Sequence, residues 1–361
     1  MPNEQIPTWT RDPQKRGSLT PLRGSKYPLI DGHLHIVNFI QDTPGGEALM
    51  YNLDRANVGK AVVFGLPVTK MWAEWEREHP DYYLADDARC YYYSHVDDIV
   101  AELVRALPPE QQGRLFPLMC GFNPNDRYAI RHVERLYKQY PDVWSGIGEI
   151  LARHDDLTAL TYGEPARSNH RSLWPVYEFA ADYDLPVLLH QNVTSISHSD
   201  YPVYLYELEE AVRDFPRTRF ILAHCGMSRR VNVPFYHKMV ERLLDQYPNL
   251  CVDYSWIIFD VAICPEGKPS PVWLELTEKY SERICLGSDI VARFERLGPE
   301  LQRYDVFLDE LSETARANVC WRTAERLYGG NKGKVAAGVQ RRVPSWQAAV
   351  QATRQAEMPA G

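Results

Sequence analysis

The stretch Leu29-Ile30-Asp31-Gly32-His33-Leu34-His35-Ile36 decides how this chain is read. An apolar pair leads into two histidines one residue apart. In a β-strand, residues i and i+2 point to the same face, so His33 and His35 project side by side where the strand ends. One divalent metal ion can then take both imidazoles as ligands. With 11 histidines in 361 residues, such a pair is common by chance. Its meaning depends on what closes the other apolar runs.

Those runs are Leu29–Ile36, Lys60–Leu66, Leu115–Phe122, Ser145–Leu151, Leu185–Gln191, Arg219–His224, Leu250–Tyr254 and Ile284–Asp289. Continuous apolar runs, some β-branched as in Ala61-Val62-Val63, suit a parallel sheet buried on both faces. Helical patterns lie between them, over Tyr128–Tyr140, Leu173–Tyr183, Leu205–Phe215, Pro234–Tyr247 and Pro271–Tyr280. The last two open with proline, which the first helical position favours. Strands alternating with helices predict an α/β fold, a (β/α)8 TIM barrel, over residues 28–330. An open doubly wound sheet competes, but no G-x-G-x-x-G follows any of the strands.

Residues 1–27 hold four prolines and read as an N-terminal arm, and residues 331–361 as a peripheral C-terminal tail. The segment from Val68 to Gly113 is long for one connection and is dense in aromatics, among them Trp72, Trp75, Tyr82, Tyr83 and Tyr91 to Tyr93. As an insertion after strand two it would cover the C-terminal mouth of the barrel, a position suited to a lid. An aromatic dimer surface is the other reading.

A net charge of −8 argues against nucleic acid and anionic membranes as partners. The polar N-terminus has no secretory pattern, and no run approaches the roughly 18 apolar residues of a spanning helix. The seven cysteines are odd in number, never in C-x-x-C spacing, and mostly lie in or beside apolar runs. A reduced, cytoplasmic protein is expected, as a homodimer.

In a barrel of this kind the chemistry sits where the strands end. Strand one closes with His33 and His35, strand four carries Glu149, strand five ends in His190, strand six in His224 and strand eight in Asp289. One histidine or acid closing an apolar strand is commonly a hydrogen-bonded core residue. Five strands closing this way on one rim point instead to a metal centre, since imidazole and carboxylate together suit zinc, manganese, iron or cobalt.

These residues resemble the signature of the amidohydrolase superfamily. The Ala223-His224-Cys225-Gly226 and Leu286-Gly287-Ser288-Asp289 contexts, and the closing Ala324-Glu325-Arg326-Leu327-Tyr328, resemble its amidohydrolase-related branch in particular. The similarity spans roughly residues 28–329. It implies a divalent metal, zinc foremost, with His33, His35 and His190 as ligands and Asp289 binding the metal or its water and shuttling the proton. His224 would bind a second ion or stay free as acid or base. That branch holds hydrolases and lactonases, non-oxidative decarboxylases and hydratases. In the related TatD-like deoxyribonucleases a Gly-Glu-Ile element bridges two metals, so Glu149 tilts the reading towards hydrolysis and permits one or two ions; a partner orienting a ligand histidine is its other reading.

The expected reaction is attack of metal-bound hydroxide on an amide, ester or lactone carbonyl of a small molecule. A metal-dependent decarboxylase of an aromatic or unsaturated acid is the alternative. Arg153, Arg229, Arg230 and Arg293 are candidates to pair with a substrate carboxylate. Asn192, His198, Tyr254 and Trp256 are candidates to line the pocket.

Overall fold

The computed structural model describes residues 24–80 and 82–330, so most of the expected N-terminal arm and all of the expected tail lie outside the described residues. Strands β1 (Leu29–His35), β2 (Val58–Phe64), β3 (Val68–Lys70), β4 (Cys90–Tyr92), β5 (Leu115–Met119), β6 (Gly146–Ala152), β7 (Val187–Gln191), β8 (Phe220–Leu222), β9 (Leu250–Tyr254), β10 (Ile284–Leu286) and β11 (Ile290–Val291) follow in chain order. All eight apolar runs form strands. The main sheet runs β10-β9-β8-β7-β6-β5-β2-β1-β11, with every pair parallel.

β10 and β11 are halves of one run, and this run joins the last strand to the first. Ile284 lies opposite Val252 of β9, while Ile290 lies opposite Leu34 of β1. Between the halves, the Asp289 N–H donates to His33 O at 2.8 Å. Gly287 is needed here: a Cβ would come within 2.6 Å of the His33 Cβ. The fold is a (β/α)8 TIM barrel.

Helices cover the outer face of the strands because their apolar residues recur at helical spacing. Ala129–Gln139 buries Ala129, His132, Val133, Leu136 and Tyr137, one continuous stripe. Pro271 opens its helix as expected. Pro234 does not: the left-handed Phe235 (φ 53°) precedes a helix that starts at Tyr236.

The insertion after β2 is shorter than 68–113, because Val96–Ala106 is the helix that connects β2 to β5. The added part is an antiparallel β3–β4 ribbon and the loop between them. Lys70 organises that loop. Its ammonium is buried, donates to the carbonyls of Tyr83 (3.1 Å), Asp86 (3.0 Å) and Ala88, and pairs with the Asp86 carboxylate at 2.6 Å. A buried lysine with four oxygen partners is a satisfied cation rather than an isolated charge. The loop therefore holds Tyr82 and Tyr83 at the barrel mouth, whereas Trp72, Trp75 and Tyr91 face solvent.

Candidate metal centre and active site

Six of the expected residues meet at the C-terminal end of the barrel. His33 and His35 leave β1 side by side, Glu149 points in from β6 and His190 from β7. His224 and Asp289 lie beyond their strands, which stop at Leu222 and Leu286. Both adopt left-handed backbone (φ 53°), as does Trp256. Such conformations are uncommon for residues other than glycine and recur at functional sites.

Glu149 is the hub. Its carboxylate is 3.0 Å from His190 Nδ1, 3.6 Å from His33 Nε2 and His224 Nε2, and 3.5 Å from His35 Nε2. Asp289 reaches His33 and His35 Nε2 at 3.4 and 3.3 Å. Three groups have ligand spacing: His33, His35 and Glu149; His33, His224 and Asp289; Glu149, His190 and His224.

Three of the four imidazoles are held through the nitrogen that faces away from the cluster, and His190 is held by Glu149 itself. His33 Nδ1 lies 2.9 Å from Asp253 Oδ2, and His35 Nδ1 donates to Gly65 O at 2.9 Å. His224 Nδ1 is 2.7 Å from Ser255 Oγ, and its backbone N–H donates to Asp253 Oδ1 at 2.8 Å. Such partners fix ring orientation and aim the other nitrogen at the centre. Asp31, fully buried, accepts from the backbone N–H groups of His33 and Ser288 and from Ser288 Oγ, tying β1 to the β10–β11 run. Burial pushes the Asp31 carboxyl up to about 6, against those hydrogen bonds.

The electrostatics call for positive charge. Burial would raise the Glu149 and Asp289 carboxyls, yet the surrounding imidazoles hold both well below the ordinary range. Burial would lower His33 and His35, yet the carboxylates raise His33 well above its ordinary value and His35 to about 9. His33 Nε2 is buried with no hydrogen-bond partner. A divalent cation answers both features, since it neutralises the carboxylates and takes up the unpaired nitrogen. The donor set fits a metal.

Above the cluster opens a cavity of about 730 Å³, lined by Phe39, Tyr82, Tyr83, His154, Arg229 and Trp256 among others. Of the expected substrate contacts, Arg229 and Trp256 line it. The Arg229 guanidinium donates to the hydroxyls of Tyr83 (2.6 Å) and Tyr82 (2.9 Å) and lies over the Trp256 ring at 4.9 Å. Arg293 also lines the cavity.

The others lie elsewhere. Arg153, with φ 40° just past β6, turns away to the buried Glu207, making hydrogen bonds of 2.9 and 2.6 Å. Tyr254 is buried on the outer face of β9 against Trp273 and Phe307, with its hydroxyl on Thr277. Asn192 is buried behind the site, where its amide nitrogen donates to Met227 O (2.8 Å) and lies 3.2 Å from His190 Nε2. Arg230 pairs with Asp155 and Asp156. His198 is exposed among Ser195 and Ser197. The expected list omitted Asp31, Asp253, Ser255 and His154. Asp253 was legible in principle, one residue inside an apolar run with the strand parity of an inward side chain.

The amidohydrolase family model matches residues 30–330. The chain belongs to the amidohydrolase family. It has the fold of known members at low identity. An amidohydrolase from Burkholderia multivorans with bound zinc is 12% identical (TM-score 0.51, 84% of this chain and 99% of that one). A Pseudomonas putida protein named for 2-pyrone-4,6-dicarboxylic acid hydrolysis is 16% identical (TM-score 0.51, 84% and 97%). Dihydroorotase from Campylobacter jejuni is 18% identical (TM-score 0.50, 83% of each). No curated protein matches. The amidohydrolase is therefore an enzyme, and its histidine–carboxylate cluster supports metal binding. Among the described residues no helix is long and apolar enough to cross a membrane.

Proposed function

We propose that this amidohydrolase is a divalent-metal-dependent hydrolase of a small organic substrate, cleaving an amide, ester or lactone carbonyl, with zinc the first metal to test ahead of manganese, iron and cobalt. The convergence of six imidazole and carboxylate side chains on one point, with Glu149 in ligand-spaced groups on both sides, carries the reading. His33, His35 and Asp289 would hold one ion and His190 and His224 a second, with Glu149 shared. A bound divalent ion supplies Lewis acidity, lowering the pKa of water towards about 7 and polarising the scissile carbonyl.

The chain's own residues do the rest. Asp289 is the more open of the two carboxylates, its side chain 13% exposed against 3% for Glu149. It accepts the proton of the attacking water at a carboxylate oxygen and returns it to the leaving group. Asp253, Gly65 and Ser255 keep the imidazoles aimed. Phe39, Tyr82, Tyr83 and Trp256 enclose the apolar part of the substrate. Arg229, held by two tyrosine hydroxyls and paired with Asp156 at 3.4 Å, offers its remaining N–H groups to a substrate carboxylate.

The test is metal content per chain of protein purified without chelator, for wild type, Glu149→Ala and His224→Ala, beside a panel of esters, lactones and amides. About two equivalents in wild type, about one in either variant, and hydrolysis of a panel member are expected. No hydrolysis, with carbon dioxide released from aromatic acids instead, would overturn hydrolysis in favour of decarboxylation.

A further inference from the structure

His154 is the imidazole at the cavity that none of the roles above uses. β6 ends at Ala152, and the left-handed Arg153 swings its own side chain out to Glu207, which turns the next residue towards the cavity. The His154 ring stacks on His190, with centroids 4.8 Å apart and planes inclined by 22°, and meets Tyr83 edge-on at 5.7 Å. It is therefore one ring's thickness from the ligand cluster.

Its hydrogen bonding selects one tautomer. His154 Nδ1 accepts the backbone N–H of Leu157 at 3.1 Å. A ring nitrogen that accepts an N–H carries a lone pair, so the ring proton sits on Nε2. The turn behind it is braced as well, because the His154 carbonyl accepts from both the backbone N–H and the hydroxyl of Thr158. No side chain or backbone group among the described residues takes the Nε2 proton.

We propose that His154 is a further catalytic residue, whose Nε2–H donates a hydrogen bond to the substrate oxygen on which negative charge develops; this role rests on the hydrolytic reading above. Fixed donors aimed at developing charge in a cavity shielded from water are among the largest contributors to catalysis. An imidazole locked as an Nε2–H donor by a backbone amide is suited to that work, since it needs no rearrangement during the reaction. Neither the metal ligands nor Asp289 supplies such a donor.

The experiment uses zinc-loaded protein and benzohydroxamate, whose charged oxygen is the probe, with His154→Phe and His154→Gln. Phenylalanine keeps the stacking on His190 and removes the donor, whereas glutamine restores an N–H. Calorimetry is expected to show benzohydroxamate bound roughly 10- to 100-fold more weakly by His154→Phe and within about threefold of wild type by His154→Gln. Zinc content should be the same in all three. On a panel ester that wild type hydrolyses, His154→Phe should lose roughly 100- to 1,000-fold in kcat with little change in KM. Undiminished binding and turnover in His154→Phe overturn the donor while leaving the hydrolase reading in place. Zinc lost from both variants overturns it too, since His154 would then serve the metal site. Binding that depends on His154 in a protein that hydrolyses nothing on the panel overturns hydrolysis but keeps the donor.

Discussion

Replacing Asp253 with asparagine should cost metal affinity without unfolding the barrel, and hydrogen bonding gives the reason. Asp253 is fully buried and its two oxygens have different tasks. Oδ1 accepts the backbone N–H of His224 at 2.8 Å and the Ser255 hydroxyl, while Oδ2 faces His33 Nδ1 at 2.9 Å. Only one atom of an asparagine amide can accept, and two fixed donors already claim the Oδ1 position. The amide nitrogen must therefore face His33 Nδ1, which turns that nitrogen into an acceptor and drives the ring proton onto Nε2. His33 Nε2 is a buried atom with no hydrogen-bond partner, and it is aimed at the cluster. Losing such an orienting partner typically weakens metal binding 10- to 100-fold, about 1.4–2.7 kcal/mol. Competition for zinc against a chromophoric chelator at fixed pH measures this directly, with the thermal midpoint as a folding control. Ser255→Ala, which leaves the carboxylate on His33, should lose less. An Asp253→Asn protein that folds and binds zinc as tightly as wild type would refute the tautomer argument, and with it the assignment of His33 Nε2 as a ligand.

Arg153→Ala strips the buried Glu207 carboxylate of its ion partner, so urea denaturation should register a loss of about 3–5 kcal/mol, with KM unchanged for any panel substrate. Arg229→Ala should raise KM roughly tenfold or more for a carboxylate-bearing substrate and leave an uncharged analogue nearly unaffected, as initial-rate comparison would show. All seven cysteines are buried, and burial raises the Cys90 thiol to about 11 and Cys264 to about 12. Iodoacetamide at about pH 8 should thus leave native protein unlabelled while the unfolded chain takes up label, read by intact mass. Against the upward push of burial, the hydrogen bond from Lys70 lowers the Asp86 carboxyl below its ordinary 3.8. A group lowered in the folded state contributes stability above its unfolded pKa and loses it as pH falls through the folded one. The β3–β4 loop should accordingly exchange amide hydrogens early in acid, below about pH 4, and at pH 6 should do so only in Lys70→Met.

The barrel was legible because its strands are buried on both faces and so appear as unbroken apolar runs, and because all six cluster residues lie in those runs, four of them within the strands with inward parity. Parity also explains the failures. On β9, Asp253 faces inward to His33 and His224, so Tyr254 must face the helices; reading the strand's last residue as the one at the mouth chose the wrong face. At Arg153, His224, Trp256 and Asp289 the backbone turns left-handed just where a strand stops, and no periodicity predicts where the next side chain points. The same turn sends Arg153 to Glu207 and brings His154 to the cavity, so one backbone angle explains both a residue wrongly expected there and one overlooked. What such a turn needs is a local hydrogen-bonding reason. Here the reasons are long-range: the His224 N–H is held by Asp253, 29 residues on, and the Asp289 N–H by the His33 carbonyl at the other end of the chain. The side chains of this cluster could be read one strand at a time, whereas the groups that aim them exist only once the barrel has closed.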